Sequence, residues 1–185
     1  MGSAVVQTIG IAFNLKRPSD DDTYEEYDEI ETIQALRKEI KRYGFKTVLL
    51  EQDDAFLRTI STAKVDFVVN IAEGKGATRA RESQVPCVLE SLGIPYSGSD
   101  PIALGITLDK YLTSRLLQAA GVPVPRIYMI RSLNEVEQLH GIFKGEKRFI
   151  VKPRWEGSSR GIFLNSVVAG TTDLRKRARR ILSVY

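Results

Sequence analysis

The 185-residue chain has one cysteine, one histidine and one tryptophan, and these scarcities remove several kinds of chemistry at once. A lone cysteine, Cys87, cannot close an internal disulfide, which suits a reducing, cytoplasmic compartment. Its neighbours Val85, Val88 and Leu89 predict buried packing for it rather than nucleophilic chemistry. One cysteine and one histidine cannot make a His/Cys zinc site. His140 comes late in an expected helix, just before Gly141, and reads as a capping or surface residue. There is no Gly-x-Ser-x-Gly elbow and no Gly-x-x-x-x-Gly-Lys-Ser/Thr loop. Gly10 stands alone in the first expected strand, so a dinucleotide fingerprint is missing too. No apolar run approaches the ~20 residues of a membrane helix. A basic segment leading into an apolar core, the mark of a secretory signal, is not found at the N-terminus.

What is present belongs to a globular protein: 43% hydrophobic residues, 27% charged and a formal net charge of +4. The length allows one large domain or two small ones with real cores. Charge is unevenly spread, acidic from Asp20 to Glu31 and basic from Arg175 to Arg180. Leu174, Ala178, Ile181 and Leu182 share that basic segment at helical spacing, without interleaved aromatics for base stacking. It is read as the solvated face of a helix, with neither nucleic acid nor membrane as partner.

In chain order, Val5 to Phe13 predicts a strand buried on both faces. Asp28 to Tyr43 predicts a helix with Ile30, Ile33, Leu36 and Ile40 inward, stopped by Gly44. Thr47 to Leu50 and Val65 to Val69 read as strands, with a short helix between them presenting Phe56, Leu57 and Ile60 inward. Asn70 to Ala80, polar and carrying Gly74 and Gly76, is a loop beyond a strand's carboxyl end, where open α/β sheets bind ligands. A helix over Arg81 to Leu92 and a brief strand at Ile94 to Tyr96 complete a doubly wound parallel-sheet α/β domain.

A second, α+β unit follows, and it looks unfinished. Helical spacing runs from Pro101 to Gly121, Arg126 to Ile130 predicts a strand, and Ser132 with Glu135 forms a capping-box pattern. Arg148 to Lys152 and Ile162 to Asn165 read as two strands joined by a loop rich in glycine and serine. Small residues let several backbone N–H groups approach one anion, and Lys152 adds positive charge beside them. A lysine between Val151 and Pro153 is costly in an apolar strand unless an anion meets it. The implied ligand is a polyphosphate.

Four ordered segments carry a resemblance: Leu92-Gly93-Ile94-Pro95-Tyr96-Ser97-Gly98-Ser99; Leu108-Asp109-Lys110 with Leu112-Thr113; Ala119 to Pro125; and Val151-Lys152-Pro153 with Glu156-Gly157-Ser158-Ser159-Arg160-Gly161. Together they resemble the D-alanine–D-alanine ligase family of the ATP-grasp superfamily, over its N-terminal and central part only. The resemblance implies an N-terminal α/β substrate-side domain over residues 1–98 and a truncated α+β ATP-grasp central domain over 99–185. It also implies a carboxylate–amine ligase that works through an acyl phosphate, releasing ADP and phosphate, in peptidoglycan cell-wall synthesis. Lys110, Lys152, Gly157, Ser158, Ser159 and Gly161 would contact ATP. Substrates would be amino acids or small peptides, and the assembly a homodimer through the N-terminal domain. Magnesium would accompany ATP, its ligands lying in a C-terminal region outside this chain. The chain is therefore expected to be inactive alone.

Two departures touch the substrate. Glu73 stands where the family usually has a histidine, and the first strand leads to Asn14-Leu15-Lys16 rather than to a Gly-Gly-x-Ser segment. Glu73 could hold an amino group, although a solvated loop carboxylate is the plainer reading. The alternative to a ligase is a non-catalytic α/β binding or dimerisation module, suggested by the unfinished second unit.

Overall fold

A computed structural model describes residues 6–19, 21–139, 141, 143 and 148–185. The chain divides into two compact units, the first ending at Leu108 and the second beginning at Asp109.

The first unit is built on three parallel strands in the order β2-β1-β3: β1 (Thr8–Phe13), β2 (Lys46–Glu51) and β3 (Phe67–Asn70). β1 lies in the middle and is apolar on both faces, as the uninterrupted hydrophobic run requires. Alternate residues feed two cores. Ala12, Leu50, Phe56, Ile60, Val68, Val85 and Leu89 form one, and Ile11, Phe13 and Ile33 the other. A Cβ on Gly10 would meet Leu50 Cδ1 at 2.6 Å, so that glycine serves strand packing. Tyr96 adds a parallel bridge to Val68, the place of the expected fourth strand.

Helix α1 (Ile30–Arg42) ends at Gly44, whose φ of +90° and N–H to Lys41 O (2.9 Å) close it as expected. Of its apolar face only Ile33 is fully buried, and Ile30 is exposed. On α2 (Phe56–Thr62), Phe56 and Ile60 are buried, whereas Leu57 faces solvent against expectation. One 3-10 turn (Arg81–Ser83) leads into α3 (Gln84–Ser91), whose buried stripe is Val85, Pro86 and Leu89. Cys87 lies two residues from both Val85 and Leu89, which puts it on the other side of the helix. The expected packing role for Cys87 is thus corrected: it is exposed.

Helix α4 (Pro101–Leu108) packs on that 3-10 turn, with Ser83 Oγ donating to Pro101 O at 2.7 Å. The compact-unit division accordingly falls after α4, at Leu108.

In the second unit the long helix expected from Pro101 to Gly121 is interrupted at Asp109. Its backbone is extended there, and its carboxylate accepts the Leu112 N–H at 3.0 Å, capping α5 (Lys110–Ala119). Helix α6 (Leu133–Glu137) does not form the predicted capping box around its Ser132 N-cap. Glu135 accepts from the Arg131 N–H at 2.7 Å, but the Ser132 hydroxyl makes no cap bond. Arg126 to Ile130 forms no strand, contrary to expectation. β4 (Phe149–Ile150) pairs antiparallel with β5 (Val167–Val168), five residues beyond the position read for the second strand. Leu164 is fully exposed in a 3-10 turn, so the apolar residues of that segment do not alternate into a core. Helix α7 (Thr171–Val184) covers the sheet with Leu174 and Ala178, which pack against Val136 and Val168. Among the described residues no helix is long and apolar enough to cross a membrane, and His140 lies outside them.

Candidate functional site

The second unit holds an open cleft of about 770 Å³ whose lining includes Lys110, Arg126, Tyr128, Lys152, Ile181 and Tyr185. Lys152 reaches it because the strand ends early. β4 stops at Ile150, Val151 donates its N–H to Ser166 O at 2.8 Å, and Pro153 is buried. Lys152 between them is exposed, which corrects the argument that an anion is needed to offset its burial. Among the described residues no carboxylate pairs with it. Its charge is directed by proximity alone.

Lys110 is held more tightly. Its backbone N–H donates to Arg154 O at 3.2 Å, and its ammonium donates to the Glu156 carbonyl, so α5 is tied to the mouth of the Gly-Ser-Ser loop. Asp109 secures the tie. Fully buried, it accepts both Arg154 Nε (2.8 Å) and Arg154 Nη2 (2.6 Å), a bidentate pair. Burial alone would raise its pKa, but the Arg154 hydrogen bonds, the Leu112 N–H and the guanidinium charge prevail and hold the carboxyl at about 2. The Arg154 guanidinium lies 5.0 Å from the Trp155 ring and 5.8 Å from the Tyr111 ring. Nothing in the sequence announces this pair, whose members are 45 residues apart. Only the Asp-Lys adjacency, with an aspartate free to cap, hinted at it.

The loop itself is strained where an anion cradle would be. Ser158 and Ser159 adopt φ of +42° and +63°, a region that costs an L-residue roughly 1–2 kcal/mol. Both are exposed, and their N–H and hydroxyl groups take no partner among the described residues. Gly161, at φ +68°, admits no side chain: a Cβ would come within 2.6 Å of Pro153 Cγ and 2.8 Å of Tyr185 Cζ. Arg177 donates to the Gly161 carbonyl from a buried position and stacks over Phe163 at 5.3 Å. The solvated-face reading therefore holds for Arg175, Lys176, Arg179 and Arg180 but is wrong for Arg177, which braces the loop. Lys110 and Lys152 line the cleft, whereas Gly157, Ser158, Ser159 and Gly161 are not part of its lining and connect to it through the bond from Lys110 to the Glu156 carbonyl. Gly157 opens the loop, its carbonyl accepting the Arg160 N–H at 2.8 Å.

Glu73 belongs to the first unit and is not a solvated loop carboxylate. It is half-buried, and its N–H and that of Gly74 both donate to Asn14 Oδ1, at 2.9 and 3.0 Å. Loss of solvation, then Glu82 and Glu26, push its pKa up to about 7, and Arg81, already bonded to Glu26, opposes them only in part. A carboxyl raised from 4.5 to about 7 weakens the fold as pH climbs through that window, because only the native state resists ionisation. Glu73→Gln is therefore expected to stabilise the chain by about 2 kcal/mol at pH 8 and by nothing at pH 4. Thermal melts at the two pH values check this; an equal gain at both would refute it.

The described residues fit a polyphosphate, with cations and unpartnered donors around a strained small-residue turn. Among the described residues no group of three or more His, Cys, Asp or Glu could hold a metal ion by itself.

No protein-family model matches the chain. It is 31% identical over 156 residues to an uncharacterised protein of Sinorhizobium fredii, covering 79% of this chain and 43% of that one. To D-alanine–D-alanine ligase B of Pseudomonas putida it is 32% identical over 143 residues, 75% of this chain and 43% of the relative. Among solved structures, D-alanyl-alanine synthetase A of Vibrio cholerae superposes with a TM-score of 0.74 at 16% identity, over 98% of this chain and 57% of that one. The Bacillus anthracis D-alanine–D-alanine ligase complexed with ATP gives 0.61 at 20% identity, over 96% and 55%.

The parallel three-stranded α/β unit and the rest of the chain share the fold of the N-terminal part of D-alanine–D-alanine ligase structures. In sequence, relatives named D-alanine–D-alanine ligase match about three quarters of the chain, which resembles the N-terminal and central part of that family. It spans less than half the length of the curated relatives it matches.

Proposed function

We propose that this chain is the nucleotide-gripping part of an ATP-dependent carboxylate–amine ligase. The carrying observation is that Lys110 and Lys152, 42 positions apart in sequence, line one cleft, and that Lys110 is bonded to the loop bearing Ser158 and Ser159. Two lysine charges meet the phosphate tail, and the exposed serine N–H and hydroxyl groups cover its end. The second unit suits a polyanion, with fifteen Lys/Arg against six Asp/Glu over residues 109–185. ATP with magnesium would transfer a phosphoryl group to a substrate carboxylate. In such a transfer the protein's part is positioning and charge neutralisation. The described residues supply the cationic half of that neutralisation. Amino acids or small peptides are the proposed substrates, with Glu73 of the first unit as an amino-group ligand in its ionised form. The proposal includes a cytoplasmic homodimer serving the cell wall, and a chain that carries out no ligation without further ligase residues.

The tail is the test. Titration of the chain with ATP, ADP, AMP and adenosine is expected to give affinities that fall along the series, by about tenfold for each phosphate that no longer meets a cation. Equal affinity for ATP and adenosine would overturn the proposal and leave a binding module. A specific feature favours that second reading: Ile127, Tyr128, Ile150, Phe163, Leu164, Val167, Leu182 and Val184 of the second unit are all exposed.

A further inference from the structure

The loop proposed to take a polyphosphate already contains an anion. The Glu156 side chain is 9% exposed, and its carboxylate accepts from Arg160 Nη1 at 2.8 Å; the Arg160 side chain is 17% exposed. The two residues stand at the ends of the strained turn, with left-handed Ser158 and Ser159 between them. Arg160 is also held from outside the turn, its guanidinium 5.5 Å from the Tyr185 ring. The Glu156 carbonyl receives the Lys110 ammonium. One residue thus engages a cation through its side chain and a second through its backbone.

We propose that Arg160 is a polyphosphate ligand held in reserve by Glu156, giving up the carboxylate for a terminal phosphate when the loop is loaded. The exchange is favoured by chemistry. A terminal phosphate presents three strong acceptor oxygens and more charge than one carboxylate, and a guanidinium grips it bidentately. The exchange is also opposed, since a nearly dry carboxylate losing its cation must rehydrate or find another donor. Glu156 is therefore a latch: it keeps the loop ordered in the absence of anion and sets a threshold that the ligand must overcome. This inference rests on the reading of the cleft as a phosphate site.

The test is calorimetric titration of the full chain with tripolyphosphate and with ATP, alongside Glu156→Gln, Arg160→Gln, the double variant and Lys152→Ala, each checked by a melting curve. Glu156→Gln preserves shape and removes the competing charge, and is expected to tighten tripolyphosphate about fivefold; Arg160→Gln is expected to weaken it about tenfold. In the Arg160→Gln background, Glu156→Gln is expected to change nothing, because there is no guanidinium left to release. Arg160→Lys recovers part of the affinity. If Glu156→Gln gives no gain, or its gain persists without Arg160, the latch is wrong while a weaker Lys152→Ala leaves the phosphate site standing. If the unaltered chain takes up no tripolyphosphate, or Lys152→Ala binds as well as the unaltered chain, the site and the latch fall together. A purely structural pair would instead weaken binding in every variant in step with its drop in melting temperature, which also overturns the proposal.

Discussion

Lys152→Ala is expected to raise the Kd for ATP by about 10- to 100-fold, the worth of one charge-assisted hydrogen bond, while leaving the melting temperature within about 1 °C. Both halves follow from its position. Lys152 is exposed, and among the described residues no carboxylate holds it, so folding loses almost nothing when the ammonium goes. It lines the cleft beside Lys110 at the end of a short strand, where an anion in the cleft would feel its charge. The separation of effects matters. A lysine serving only solubility would move neither quantity, and one serving the fold would move both. Salt sharpens the measurement: affinity in the unaltered chain should fall with ionic strength more steeply than in the variant, since one fewer charge is screened. Unchanged ATP affinity in Lys152→Ala would remove the phosphate assignment at its base.

Asp109→Ala is expected to have the largest effect on stability, about 3 kcal/mol, measured by denaturant unfolding of the second unit's signal. Three effects combine. The Leu112 N–H is left without its cap, the Arg154 guanidinium without two hydrogen bonds, and a cation one-third exposed in its side chain stays beside two rings without a counter-charge. Arg154→Met removes the same pair but fills the space against Tyr111 and Trp155, and should cost less than half as much. The pH dependence has a definite sign. The Asp109 carboxyl is held at about 2, below its ordinary 3.8, so its contribution is complete above pH 4 and lost as pH falls towards 2. That contribution is about 2 kcal/mol, from the width of the window. Between pH 4 and pH 2 the stability of Asp109→Asn should therefore fall by about 2 kcal/mol less than that of the unaltered chain. If Asp109→Ala unfolds at the same denaturant concentration as the unaltered chain, the clamp does not hold Lys110 in place.

The two pH responses run in opposite directions for one reason. Asp109 has a guanidinium against both oxygens, so its charged form is favoured in the fold. Glu73 has Glu82 and Glu26 as neighbours, and Arg81 is already committed to Glu26. Burial is similar in kind at the two sites. What decides the sign is whether a cation is left over.

The local chemistry of the chain determined most of the architecture. Apolar runs at Thr8–Phe13 and Lys46–Glu51, the stop at Gly44 and the helix from Thr171 depend on spacing and turn residues that act over a few positions. The same locality singled out Lys152 and the Gly157–Gly161 loop, since their residue types suit an anion, whereas Lys110 entered only through the family resemblance. Tertiary structure alone decided how those parts are held. Asp109 breaks a continuous helical pattern because Arg154, far along the chain, rewards an extended backbone there. Arg177 leaves the solvated face of α7 because the Gly161 carbonyl needs a donor. Cys87 and Leu57 point outward because neighbouring positions fill the core first. Periodicity records which residues can share a face, but burial and charge pairing depend on what stands opposite, and that partner comes from elsewhere in the sequence.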